Sequence, residues 1–374
     1  MKIARAEVSR VRLRLRAPIV TARGPIEFRE GALLALASES ALVGHGEALP
    51  LAGFSEETPD RASETLSKLV RLLIGREIED LDRLLDLIEE FAPDAPAARA
   101  AVDVALFDLA ARVQGIGVAS MLAQPERPRS RIDVNALVYD EQPERAAREA
   151  SAAAAEGYRT VKIKVGALAL ELDEDRVAAV RDVVGSEVRI RLDANGGWKE
   201  REAEQAIARL APYRIELLEQ PVEARDLGGL ARLSAGSAIP IAADEALAGG
   251  YAVDEIFARE AASVVVLKPA ALGGLRASQR IAARARAAGW GVVVTSALDS
   301  AVGLAAALQL AAALPGPHLA AGLATGALLD QDLAMAPTPS GGMLSLPDEP
   351  GIGVAPLRES LTRCALGRSE EINA

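Results

Sequence analysis

Apolar and polar residues alternate over residues 3–15, and strand-like runs recur at 32–36 and at Val43-Gly44-His45-Gly46-Glu47. The period then lengthens. Residues 58–73, 81–91 and 96–113 read as helices, the last with Val102, Leu106, Leu109 and Val113 on one face. Two stretches rich in Gly and Pro, residues 17–31 and 49–54, read as hairpin and connecting turns. Residues 124–130, with two prolines among charged residues, read as a linker. Residues 1–125 are therefore expected to form an α+β domain.

From Arg131 the pattern changes. Strand-like runs at 132–138, 160–165, 188–193, 215–219, 239–243, 263–268 and 292–296 alternate with helical stretches that start near 143, 170, 200, 227, 252, 274 and 301. A weaker strand falls near 318–321. Repeated βα units predict a parallel sheet, and eight strands suggest a closed barrel over 126–324. After Thr325 the regularity stops. Residues 325–374 hold several prolines and glycines but enough Leu, Val and Met to pack back on the first domain.

Half the residues are hydrophobic but only 3% are aromatic, so Ala, Leu and Val must fill the core. A net charge of -11 argues against nucleic acid or an anionic membrane surface as partner, while leaving local cations free to bind an anionic substrate. The single cysteine, Cys364, excludes an internal disulfide, and His45 and His318 are too few for a histidine-dominated metal site. Residues 301–314 form the longest apolar run, too short to span a bilayer. The first residues alternate as a strand does, unlike a signal peptide. A cytoplasmic enzyme is expected, and a homo-oligomer is compatible with this composition.

Chemistry enters through the phase of the charged residues. Alone, Lys162-Ile163-Lys164 would read as a solvated strand face. But Lys164, Asp193, Glu219, Asp244 and Lys268 follow one another at intervals of 24 to 29 residues, about one βα unit, each at or just past a strand end. In a barrel those ends meet at one mouth. Converging carboxylates repel by several kcal/mol per pair unless a cation lies between them. Asp193, Glu219 and Asp244 offer only oxygen, which suits Mg²⁺, with Mn²⁺ as a substitute. The simpler alternative is that each caps the helix after it. Asn195 and Glu245 are placed to support the ligands, or to serve as turn residues. Lys164 and Lys268 would flank whatever binds the cation. Lys162, one layer deeper, would help depress the pKa of Lys164, making it a base for a proton α to a carboxylate.

Lys162-Ile163-Lys164, Asp193-Ala194-Asn195, Glu219-Gln220-Pro221, Asp244-Glu245 and Lys268-Pro269 together resemble the muconate-lactonizing subgroup of the enolase superfamily. The resemblance covers essentially the whole chain. It implies a modified TIM barrel, (β/α)7β, with an α+β N-terminal capping domain completed by the C-terminal segment. It also implies Mg²⁺ on Asp193, Glu219 and Asp244, and a small-molecule carboxylate as substrate. Arg23-Gly24, Leu51-Ala52-Gly53-Phe54-Ser55 and Ser296-Ala297-Leu298-Asp299-Ser300-Ala301-Val302-Gly303 are similar to stretches of o-succinylbenzoate synthases, as is Gly322-Leu323-Ala324-Thr325-Gly326. They mark Arg23, Gly24, Phe54, Ser296, Leu298 and Ser300 as expected substrate contacts, with a helix N-terminus near Ser300 to receive a succinyl carboxylate.

The expected reaction is then dehydration of 2-succinyl-6-hydroxy-2,4-cyclohexadiene-1-carboxylate to o-succinylbenzoate for menaquinone synthesis, a carbon–oxygen lyase. In it Lys164 is acid and base, and Lys268 acts electrostatically. The alternative is racemisation of N-succinylamino acids, in which Lys268 is the second acid/base, or another racemase or cycloisomerase reaction of the subgroup. Dipeptide epimerases of the subgroup typically carry Asp-x-Asp at the eighth strand, and this chain has none there.

Overall fold

In the computed structural model, which describes residues 1–21, 24–248 and 253–373, the early alternation builds strand β1 (Ile3–Thr21). Val11, Leu13 and Leu15 are buried, and Arg10, Arg12 and Arg14, alternating with them, are exposed. It pairs antiparallel with β2 (Gly24–Ser38), and β2 with β3 (Val43–Ala48). Helices α1 (Pro59–Leu73), α2 (Leu81–Phe91) and α3 (Pro96–Gln114) follow, then a short α4 (Val118–Leu122) that the sequence pattern does not announce. Helix α3 lies tight on β3. A Cβ on Gly44 or Gly46 would strike the carbonyl oxygens of Ala105 and Ala101, so only glycine permits this approach.

The expected first barrel strand is broken in two, as β4 (Arg131–Asp133) and β5 (Ala136–Val138). The βα repeat then runs α5 (Pro143–Ala155), β6 (Thr160–Lys164), α6 (Leu170–Val184), β7 (Arg189–Asp193), α7 (Glu200–Leu210), β8 (Ile215–Glu219) and α8 (Leu227–Gly236). It continues with β9 (Ile241–Ala243), α9 (Glu245–Ala248), α10 (Val253–Ala258), β10 (Val264–Leu267), α11 (Pro269–Leu272), α12 (Leu275–Ala287), β11 (Gly291–Val294) and α13 (Ala301–Ala313). Strands β5 to β11 form one parallel sheet in sequential order. The eighth position is reduced to two bridges, Ala321 with Val134 and Gly322 with Thr295, which close the ring between its first and last strands. The fold is thus a modified TIM barrel beneath an N-terminal cap. Leu217, Ala242, Val264, Val266 and Val293 form an apolar cluster of their own inside the sheet, as barrel interiors do.

The last residues return. Strand β12 (Met343–Ser345) pairs with β4, and after α14 (Arg358–Cys364) strand β13 (Glu370–Asn373) pairs with Arg5–Val8 of β1. Among the described residues, no helix is long and apolar enough to cross a membrane.

Candidate active site

Lys164, Asp193 and Glu219 are the last residues of β6, β7 and β8, and the sheet pairs Lys164 with Asp193 and Asp193 with Glu219. Adjacent strands lie about 4.8 Å apart, so register alone stacks these side chains around the mouth. Asp244 and Lys268 each follow the last residue of their strand, β9 and β10. Counting 321–322 as the eighth position, β6 and β10 are four positions apart in a ring of eight. Lys164 and Lys268 therefore enter from opposite sides.

Lys164 Nζ lies 2.6 Å from Asp193 Oδ2 and 2.6 Å from Asn195 Oδ1. Its side chain is 45% exposed, while that of Lys268 is 11% exposed, with Nζ 2.5 Å from Asp244 Oδ2. Lys162 Nζ sits 2.7 Å from Asp193 and 2.8 Å from Glu219, between two of the expected ligands rather than against Lys164 alone. Asn195 adopts φ +44° and links the corners of the site. Its N–H donates to Asp193 Oδ1 at 3.1 Å and its Nδ2 to Glu245 Oε1 at 2.9 Å.

The titration behaviour follows from an excess of carboxylates. Burial opposes charge on Lys162, yet Asp193, Glu219 and Asp244 outweigh it and hold the pKa above the ordinary lysine value. Lys268 is shifted the same way, Asp244 and Glu245 overcoming burial. Burial likewise works against Asp193, but Lys162 and Lys164 hold its carboxyl far below the carboxylate range. Asp244 moves up. Burial is the main cause, and Glu245, Glu219 and Asp193 add to it against the pull of Lys268.

Two buried oxygens here, Asp244 Oδ1 and Glu245 Oε2, have no hydrogen-bond partner. A hard cation suits that donor set. Among the described residues no three acidic, His or Cys side chains are grouped around one point, and each expected ligand is bonded to a lysine instead.

The expected substrate contacts divide. The ring of Phe54, in the cap loop, lies 3.8 Å from Lys268 Nζ, and the residue is 7% exposed. Ser296 Oγ and Thr325 Oγ1 share a hydrogen bond of 2.6 Å. Leu298 holds φ +59° and gives its carbonyl to Arg29. Gly24 begins β2, and Arg23 lies outside the described residues.

Ser300 requires a correction. It is fully buried, and its N–H donates to Glu47 Oε1 at 3.0 Å while its hydroxyl donates to Glu47 Oε2. Asp332 accepts the next N–H, that of Ala301, at 2.9 Å. The start of α13 is thus filled by the protein's own carboxylates, and the succinyl group expected there has no free N–H at either residue. Burial, then Asp299, pushes Glu47 up to about 8.

Sequence reasoning passed over Glu47 and Arg29, whose partners are remote. It also quoted Gln220 without giving it a role. Gln220 is fully buried at φ +41° and accepts the N–H groups of Asp244 (3.0 Å) and Ala246 (3.2 Å), which fixes the turn that presents Asp244. Its position beside Glu219 at a strand end was the available signal.

Residues 3–123 match the family described as "Mandelate racemase / muconate lactonizing enzyme, N-terminal domain", and residues 145–360 match "Enolase C-terminal domain-like". The L-Ala-D/L-Glu epimerase of Bacillus subtilis is 31% identical over 95% of this chain and 97% of its own. The o-succinylbenzoate synthase of Thermobifida fusca is 41% identical over 58% of this chain and 66% of its own. The solved structure of N-succinyl Arg/Lys racemase from Bacillus cereus superimposes with a TM-score of 0.92 at 26% identity, covering 100% of both chains.

Proposed function

The chain belongs to the mandelate racemase and muconate lactonizing enzyme family of the enolase superfamily, and from that premise we propose that it racemises N-succinylamino acids. The observation that carries this reading is the placement of Lys164 and Lys268 on opposite sides of the mouth, each beside a different expected ligand. A carbon lying between them presents one face to each amine. Lys164, as the free amine, takes the α proton from one face, and the Lys268 ammonium returns a proton to the other. The opposite antipode uses them in reverse. Asn195 and Asp193 hold Lys164 at the mouth, and Phe54 covers Lys268.

Asp193, Glu219 and Asp244 would hold Mg²⁺, as the unpartnered Asp244 oxygen and the oxygen-only donor set suit it. When bound, the cation supplies positive charge that steadies an enediolate. The similarity to the Bacillus cereus racemase over the full length of both chains supports the N-succinyl group as recognition element. Residues 318–326 carry no Asp-x-Asp with which to hold a dipeptide's amine, which favours an acylated amino acid.

One observation favours a second reading, dehydration to o-succinylbenzoate. Identity to the Thermobifida fusca synthase reaches 41% over its shorter match, above the 31% to the epimerase. The two are separated by measuring kcat/KM for racemisation of N-succinyl-arginine and N-succinyl-lysine beside that for the cyclohexadiene carboxylate. A higher value for the dehydration would overturn the first reading.

A further inference from the structure

Arg29, on β2 of the cap, is 3% exposed, and its guanidinium donates to three backbone carbonyls. Leu49 accepts at 2.5 Å and Pro50 at 2.9 Å, both at the start of the loop that carries Phe54. The third acceptor is Leu298, at 3.2 Å, in the loop between β11 and α13. That residue holds a left-handed backbone that a branched side chain adopts only at a cost, so its carbonyl is aimed at Arg29 against the local preference. Only a guanidinium offers a rigid fork able to serve three separated acceptors at once; a lysine ammonium is a single point.

The Phe54 loop is short and stiff. Phe54 N–H donates to the Leu51 carbonyl at 3.0 Å, and Ala52 bridges Ser55. A shift of Leu49 and Pro50 must therefore carry the Phe54 ring with it, and that ring rests on Lys268. The other lysine is served differently. Among the described residues Lys164 bonds to Asp193 and Asn195, both in the barrel. Among the described residues, the cap side chain that meets either amine is Phe54, on Lys268.

We propose that Arg29 is a positioning residue for Lys268: by tying the Phe54 loop to the loop after β11, it holds the aromatic ring against the Lys268 ammonium and governs the half of the reaction that passes through that lysine. The inference rests on the two-lysine racemase reading above.

The test is α-proton exchange into deuterated buffer, followed separately for each antipode of N-succinyl-lysine. Lys268→Ala identifies the antipode whose proton that lysine removes. Arg29→Gln is expected to slow exchange of this same antipode more than the other, shifting the ratio of the two rates by about tenfold, as small misplacements of a catalytic group do. A purely structural lesion lowers both rates alike, and an unchanged ratio would overturn the inference. Should Arg29→Gln not fold, Phe54→Leu, further along the same chain of contacts, must shift the ratio in the same direction, and an unchanged ratio there overturns it equally. Wild-type protein that exchanges neither antipode would instead remove the racemase reading and this inference together.

Discussion

Glu47 of the cap accepts the N–H of Ser300 at 3.0 Å, so a carboxyl group on the cap caps a barrel helix 253 residues away. Asp103 of α3 does the same for α12, accepting from Leu275 N at 2.6 Å and Arg276 N at 3.3 Å. The cap is fastened to the barrel by acid groups on helix N-termini, where the backbone leaves unpaired donors.

A pH dependence follows from the first of these. Glu47 is pushed up from its ordinary 4.5 to about 8 by burial and by Asp299. Between those values the folded protein keeps a proton that the unfolded chain has released. This group's contribution to stability is therefore full below about pH 4.5 and declines as pH rises toward about 8, by at most about 1.4 kcal/mol per unit. Melting temperatures of wild type and Glu47→Gln measured across that range check it. The glutamine variant should lose less on going alkaline, and parallel curves would contradict the assignment.

Removing the second fastening should cost stability without touching the mouth. Asp103→Ala leaves two buried N–H groups unpaired, and a loss of about 2 kcal/mol is expected in denaturant unfolding. Asp103→Asn keeps an acceptor, and because burial already pushes Asp103 up to about 7 it should cost less at neutral pH. An asparagine variant as unstable as the alanine one would show that charge, not the cap, matters.

The two lysines should separate the two chemistries. Lys164→Ala is expected to lower either activity by at least about a hundredfold. Lys268→Arg keeps a cation but supplies no proton at neutral pH, so it should abolish racemisation and spare dehydration. Loss of both activities in the arginine variant would deny Lys268 a purely electrostatic part in the dehydration.

Cation binding should be visible without substrate. Mg²⁺ at a hundredfold its Kd is expected to stabilise the protein by about 2.7 kcal/mol relative to a chelator-treated sample, read by calorimetry. Asp244→Asn should remove that gain, since it withdraws charge where an oxygen lies unpartnered.

The ring of Lys164, Asp193, Glu219, Asp244 and Lys268 was legible because a βα repeat converts spacing along the chain into position around a mouth. Helices α1, α2 and α3 of the cap were legible to within a residue or two for the same kind of reason, a strong period, whereas the single turn of α4 was too short to show one. The break at Val134 and Asn135 was not, because a single strand-like run does not reveal where a strand changes partner: β4 turns to β12, and β5 joins the barrel. Arg29 and Glu47 were hidden for another reason. Glu47 lies in an ordinary-looking strand and Arg29 in a stretch that reads as a turn but is part of β2, and one partner of each, Ser300 and Leu298, is more than 250 residues distant. Ser300 shows the converse. The helix start expected near Ser300 is there, but nothing local announced that Glu47 had already taken it.

Strand β13 follows every strand of the barrel along the chain, and the edge it covers, at Arg5–Val8, precedes them all. Until β13 has been made, the pairing seen at that edge cannot form. Open strand edges invite pairing with other chains, and charged residues along them discourage it. Arg5 and Glu7 stand on this one, exposed, two positions apart. Charge therefore stands on this edge for as long as β1 waits for β13.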